Sequence, residues 1–73
     1  MDIKVGQVLE FVDDVSVEGR TVKRGARARV GYILTEVVEP KLTLVLLGSG
    51  KPETIVVEHH VAGIHCRIVS ESP

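Results

Sequence analysis

Residues 26–38, A-R-A-R-V-G-Y-I-L-T-E-V-V, decide the fold, because their pattern fits two different elements. Ala26, Val30, Ile33, Leu34, Val37 and Val38 recur at spacings of three and four, which would line one face of a helix. As a strand, the same stretch turns Ala26, Ala28 and Val30 to one face and projects Arg27 and Arg29 from the other. Gly31 in mid-segment and three valines cost helix propensity, whereas branching at Cβ suits a pleated surface. Strand is the preferred assignment, and a mainly β chain follows from it.

Upstream, Lys23-Arg24-Gly25 reads as a tight turn into this strand. Asp13-Asp14 and Glu18-Gly19 supply further turn chemistry, since Asp bonds nearby backbone and Gly tolerates positive φ. A first strand is predicted from Val5 to Val12, continuing loosely to Val17. Leu9 and Phe11 lie on its buried face, and Val8, Glu10 and Val12 on the other. Downstream, Glu39-Pro40-Lys41 punctuates the chain before a strand from Lys41 to Leu47. Leu42, Leu44 and Leu46 share one face of that strand, and Thr43, Val45 and Leu47 the other. Gly48 to Pro52 forms a hairpin tip, and Glu53 to His59 a fourth strand with Ile55 and Val57 inward. His60 to Gly63 breaks the alternation, leaving room for a one-turn helix near residues 60–63. Ile64 to Val69 closes the pattern, and Ser70 to Pro73 is expected to fray.

The chain has 73 residues, enough for one small domain, with its core expected over residues 5–69. Valine, isoleucine and threonine make up almost a third of it, and Phe11 and Tyr32 are its only aromatics. Cys66 is the single cysteine, so no disulfide forms within the chain and no multi-cysteine zinc framework exists. A reducing, cytoplasmic setting is the expectation. The first residues show no secretory pattern, and no apolar run approaches the ~18 residues of a membrane-spanning helix. A formal net charge of −1 weighs against bulk coating of nucleic acid but leaves a local basic site open.

The order of parts resembles the Src-homology-3-like barrels, most of all their KOW-type and photosynthetic or nitrile-hydratase accessory members. The resemblance rests on Val8 to Val12, the acidic-glycine loop Asp13 to Gly19, and Lys23-Arg24-Gly25-Ala26-Arg27-Ala28-Arg29-Val30. KOW segments usually carry glycine two places before that valine, where this chain has Ala28. The resemblance covers about residues 5–69 and implies an all-β fold, a small five-stranded barrel. Fold likeness of this kind implies no single function.

Three groups of residues are candidates for function. Arg20, Lys23, Arg24, Arg27 and Arg29 hold five of the nine cationic side chains and would form one basic edge, suited to phosphate. Glu10, Asp13, Asp14 and Glu18 lie just upstream, however, and pairing across the hairpin, with Glu10 opposite Arg29, is favoured over binding. Only Tyr32 is near enough to act as a stacking platform for single strands. Thr43, Val45 and Leu47 form the second group, a largely apolar face that reads either as burial of the strand on both sides or as an exposed patch that recruits a partner.

The third group is His59, His60, His65 and Cys66, residue types that ligate zinc. Neighbours on a strand point apart, so His65 and Cys66 do not share a metal there. Cys66, between Ile64 and Ile68, reads as a small core hydrophobe. His60 with His65 is the best remaining ligand pair. No phosphate loop, nucleophile elbow or dinucleotide fingerprint is present, and no cofactor is implied. With no tryptophan and one tyrosine, the chain also lacks a proline-reading groove. The leading expectation is a non-catalytic interaction or accessory module whose partner is another protein or a second copy. KOW-like nucleic-acid binding and a small metal-binding protein are the alternatives.

Overall fold

The computed structural model describes residues 2–48 and 50–71. The chain is mostly β: β1 (Gln7–Phe11), β2 (Val15–Val17), β3 (Arg20–Val22), β4 (Arg27–Leu34), β5 (Lys41–Leu46) and β6 (Glu53–Glu58) precede a short helix α1 (His59–His65) and β7 (Cys66–Glu71). Five strands form one antiparallel sheet in the order β6-β5-β4-β1-β7, and β2 with β3 makes a separate two-stranded sheet. The ambiguous segment is therefore strand, but only to Leu34. Residues 35–40 form a connecting loop, where Val37 and Val38 are exposed rather than part of an apolar face.

Four expectations need correction. The barrel is not closed: β6 and β7, at the two ends of the sheet order, do not pair with each other. The first strand does not run on to Val17. The chain leaves the sheet after Phe11, where the Val12 N–H donates to the His65 carbonyl at 2.8 Å, and it re-forms as the separate hairpin β2–β3. This hairpin makes seven strands among the described residues in place of the five expected. The helix spans His59–His65 rather than one turn near residues 60–63, so Ile64 is an exposed helical residue and the closing strand begins at Cys66. Finally, β7 continues to Glu71 where the tail was expected to fray. The expected fraying of residues 72 and 73 lies outside the described residues, as does Ser49 of the hairpin tip.

The turns follow from local chemistry. Glu18 and Gly19, between β2 and β3, both have positive φ (52° and 78°), the two-residue hairpin turn whose twist matches its strands. Gly25 has φ 93° in the turn closed by the Ala26 N–H to the Lys23 carbonyl at 3.0 Å. Positive φ at the third position of a turn is what glycine there permits. In β4 the pairing with β5 shifts between Val30 and Tyr32. This bulge at Gly31 leaves Tyr32 on the same outward side as Arg29.

The core collects the inward side chains of both sheets. Leu9, Phe11, Val30, Leu42, Leu44 and Ile55 are the largest fully buried ones, joined by Val15, Val17 and Val22 from the hairpin and by Ile3 ahead of β1. Burying each such aliphatic or aromatic side chain stabilises the fold by about 1.5–3 kcal/mol. The hairpin also covers the outer edge of β6. Arg20 pairs with Glu53, and the Glu18 carboxylate accepts the Val56 N–H at 3.1 Å. A second sheet thus blunts an otherwise open strand edge, a site of unwanted pairing between chains.

Candidate functional site

The basic edge is built on the β4–β1–β7 ladder. The register sets Glu10 opposite Arg27 on one side and Arg67 on the other, not opposite Arg29, whose partner position is Val8. Two-residue periodicity turns all three of these charged side chains outward in one row. Arg67 donates to Glu10 from Nε at 2.9 Å and Nη2 at 2.6 Å, while Arg27 Nε lies 3.3 Å from the second carboxylate oxygen. These hydrogen bonds, from Arg67 first and Arg27 second, hold the Glu10 carboxyl below its ordinary value.

The other cations of the edge are largely occupied by their own chain. Arg20 pairs with Glu53, and Lys23 Nζ lies 3.8 Å from Asp14, which also accepts the Arg24 backbone N–H at 2.8 Å. The Arg29 guanidinium donates to the Gly6 carbonyl at 3.0 Å. Of the four upstream acids, Glu10 takes Arg27 and Asp14 takes Lys23. Asp13 and Glu18 instead serve His65 and the Val56 N–H. Among the described residues no acid pairs with the Arg24 guanidinium, which lines a shallow cleft with Glu10 and Arg67. Arg67, far away in sequence, was missed. Its alternation with buried Cys66 and half-buried Ile68 was the available signal.

The apolar face lies on the outward side of β4, β5 and β6. Register places Tyr32, Thr43 and Val56 in one cross-strand row and Arg29, Val45 and Thr54 in the next. Tyr32 is 59% exposed and Val56 43%, with Leu47 and Leu34 also exposed near the ends of β5 and β4. Thr43 and Val45 are only half-buried by their neighbours, so the three residues expected on this face all lie at its surface. Tyr32 and Val56 were missed. The bulge that puts Tyr32 on this side breaks simple alternation, and Val56 follows only by implication, between the inward Ile55 and Val57.

The histidines separate. His65 Nδ1 lies 3.0 Å from Asp13, whereas His60 Nδ1 lies 3.6 Å from Glu58. The expected His60–His65 pair is thus replaced by two different His–acid contacts. His59 donates its backbone N–H to the Pro40 carbonyl at 2.8 Å, fastening the 35–40 loop to the start of α1. That contact draws Glu39 toward Glu58 and His60, and one ligand atom from each of the three lies within 4.8 Å of the other two. A hydrogen bond to Glu58, and that group's negative charge, hold the Glu39 carboxyl above its ordinary value. The same bond lowers Glu58. Glu39, read from sequence as turn punctuation, carried no signal of this meeting.

Cys66 is buried as expected, and burial pushes its thiol up to about 11. A thiol so placed is poorly ionised near neutrality and unsuited to nucleophilic attack. No helix among the described residues is long and apolar enough to cross a membrane. Comparison with protein-family models, with curated proteins and with solved structures finds no match to this chain.

Proposed function

We propose that this protein is a non-catalytic interaction module whose binding surface is the outward face of β4, β5 and β6. Its partner is a protein chain, either a different one or a second copy. The supporting observation is the row Tyr32, Thr43, Val56 with Val45 beside it, which leaves an exposed tyrosine and an exposed valine side by side on the sheet's outward face. Apolar surface on a rigid sheet binds with little ordering cost, and Tyr adds a hydrogen-bonding hydroxyl to its contact area. We read the fold as an open variant of the Src-homology-3-like architecture. In support stand the strand order β6-β5-β4-β1-β7, the hairpin inserted between β1 and β4, and the short helix before the last strand. Sedimentation equilibrium over a wide concentration range, comparing the native chain with Val56→Lys, tests the self-associating form. In-cell photo-crosslinking from position 32 tests the other. A strict monomer that also gives no discrete crosslinked species would refute the proposal.

A second function, KOW-like nucleic-acid binding, draws support from one observation. Arg24 and Arg67 line a common cleft, and Arg24 has no acidic partner among the described residues. Phosphate contacts there would give affinity for short RNA or DNA that falls with salt and drops on Arg24→Glu. The in-chain pairing of Arg20, Lys23 and Arg27 weighs against it.

A further inference from the structure

The molecule's acids are not treated alike by the fold. Glu10, Asp13, Asp14, Glu18 and Glu53 each meet a donor: an arginine, a lysine, a histidine or a backbone N–H. Glu39 and Glu58 instead meet each other, from positions far apart in sequence, with His60 beside them. Neither carboxyl belongs to the core cluster, so packing does not account for their approach. Carboxylates brought this close repel, and a cation held between them relieves that repulsion.

From this geometry we infer that Glu39, Glu58 and His60 form a binding site for one divalent transition-metal ion. Their backbone positions are set in advance. Glu58 ends β6 in register with Lys41, His60 lies in the first turn of α1, and the loop bearing Glu39 is tied down by the His59 N–H to the Pro40 carbonyl. Donor atoms from the three residues already fall within 4.8 Å of one another, so little rearrangement separates them from a shared ion. Two carboxylate oxygens and one imidazole nitrogen suit zinc and its first-row neighbours. Magnesium and calcium prefer oxygen alone, and Cu(I) prefers sulfur. Three protein ligands at an exposed position leave the remaining coordination to water. Lys41, facing Glu58 across the ladder, opposes the ion electrostatically and keeps the site modest in affinity. The ion would lie beside the apolar face, since Leu34, Lys41 and Glu58 form the row next to Tyr32, Thr43 and Val56.

Calorimetric titration of the full chain with zinc chloride alone, near neutral pH, tests this site independently of any partner. The expected result is one saturable site per chain, weakened at least about tenfold by Glu39→Gln and by His60→Ala, and kept by His59→Ala and His65→Ala. Glu39 and His60 are exposed, and circular dichroism reports whether each variant folds. Should His60→Ala not fold, Glu39→Gln decides alone: lost affinity supports the site and retained affinity overturns it. Equal loss in His65→Ala, several weak sites in place of one, or no saturable uptake each overturn it as well.

Discussion

The two ends of β4 face outward with different consequences. Before the bulge, Arg27 and Arg29 reach groups of their own chain, the Glu10 carboxylate and the Gly6 carbonyl. Beyond it, Tyr32 stands 59% exposed in a row with Thr43 and Val56. The charged end is the conspicuous one in sequence, yet folding spends most of its binding capacity internally. In a nearly neutral chain, opposite charges find one another across a sheet, whereas outward apolar side chains have no partner to find. Apolar surface left over after folding is therefore the better guide to a binding face here than charge density.

The largest effect that can break this comparison concerns the two faces of the same sheet. Leu44 is fully buried and Val56, one strand away, is 43% exposed. Leu44→Ala is expected to lower unfolding free energy by about 2–5 kcal/mol. Val56→Ala is expected to cost no more than about 1 kcal/mol, the span of strand propensity. Chemical denaturation measures both. Equal losses would mean that the outward face is structural core, and the contrast would fail.

The next effect asks whether the β2–β3 hairpin belongs to that core. Gly19 holds φ 78° in its turn, and a Cβ added there meets open space, so strain alone opposes substitution. Gly19→Ala is expected to cost about 1 kcal/mol, read as a shifted denaturation midpoint. Because Val15, Val17 and Val22 pack in the common core, the whole transition should move. An unchanged midpoint with only local hydrogen exchange gained in residues 15–22 would show the hairpin to be a separate unit.

Much of this architecture was legible from spacing alone. Alternation placed Leu9, Phe11, Ala28, Val30, Leu42, Leu44, Ile55 and Val57 inward, and all are buried. Glu18-Gly19 and Lys23-Arg24-Gly25 were correctly read as turns because the chemistry of each is local. What was not legible depends on register. A two-residue shift in pairing exchanged Arg29 for Arg27 opposite Glu10, and because it keeps every side chain on its face, no local signal in a single strand fixes it. The helix was underestimated because His59–His65 has no side-chain cap and contains Gly63. Tertiary packing of Ala62 and the tie to Pro40 sustain it instead. Both Arg67 and Glu39 reach their clusters through contacts far along the chain. The candidate site was accordingly half visible: Thr43 and Val45 from alternation, Tyr32 only once the bulge is known.

A smaller effect probes the charged end. Folding holds the Glu10 carboxyl below its ordinary value of 4.5, so in that acid window the unfolded chain binds more protons than the folded one. Stability from this group is therefore fully present above the ordinary value and is lost as pH falls through the lowered one. Glu10→Gln should be less stable than the native chain at neutral pH, and the difference should shrink both on acidification and in high salt. Denaturation midpoints at pH 7, 4 and 3 test it. A gap that stays constant with pH would show that Glu10 acts by packing, not charge, and would weaken the claim that this end is consumed internally.

The smallest effect on stability carries the largest functional consequence. Val56→Lys adds a charge to an exposed strand position, and surface changes of this kind usually shift stability by within about 0.5 kcal/mol. An ammonium at the β6 end of the apolar row must be desolvated by anything that docks there, which opposes binding far more than it opposes folding. The variant should thus fold like the native chain while losing its association. If association survives Val56→Lys but falls with Arg24→Glu, the comparison is reversed: binding belongs to the charged end, and the apolar row is ordinary surface.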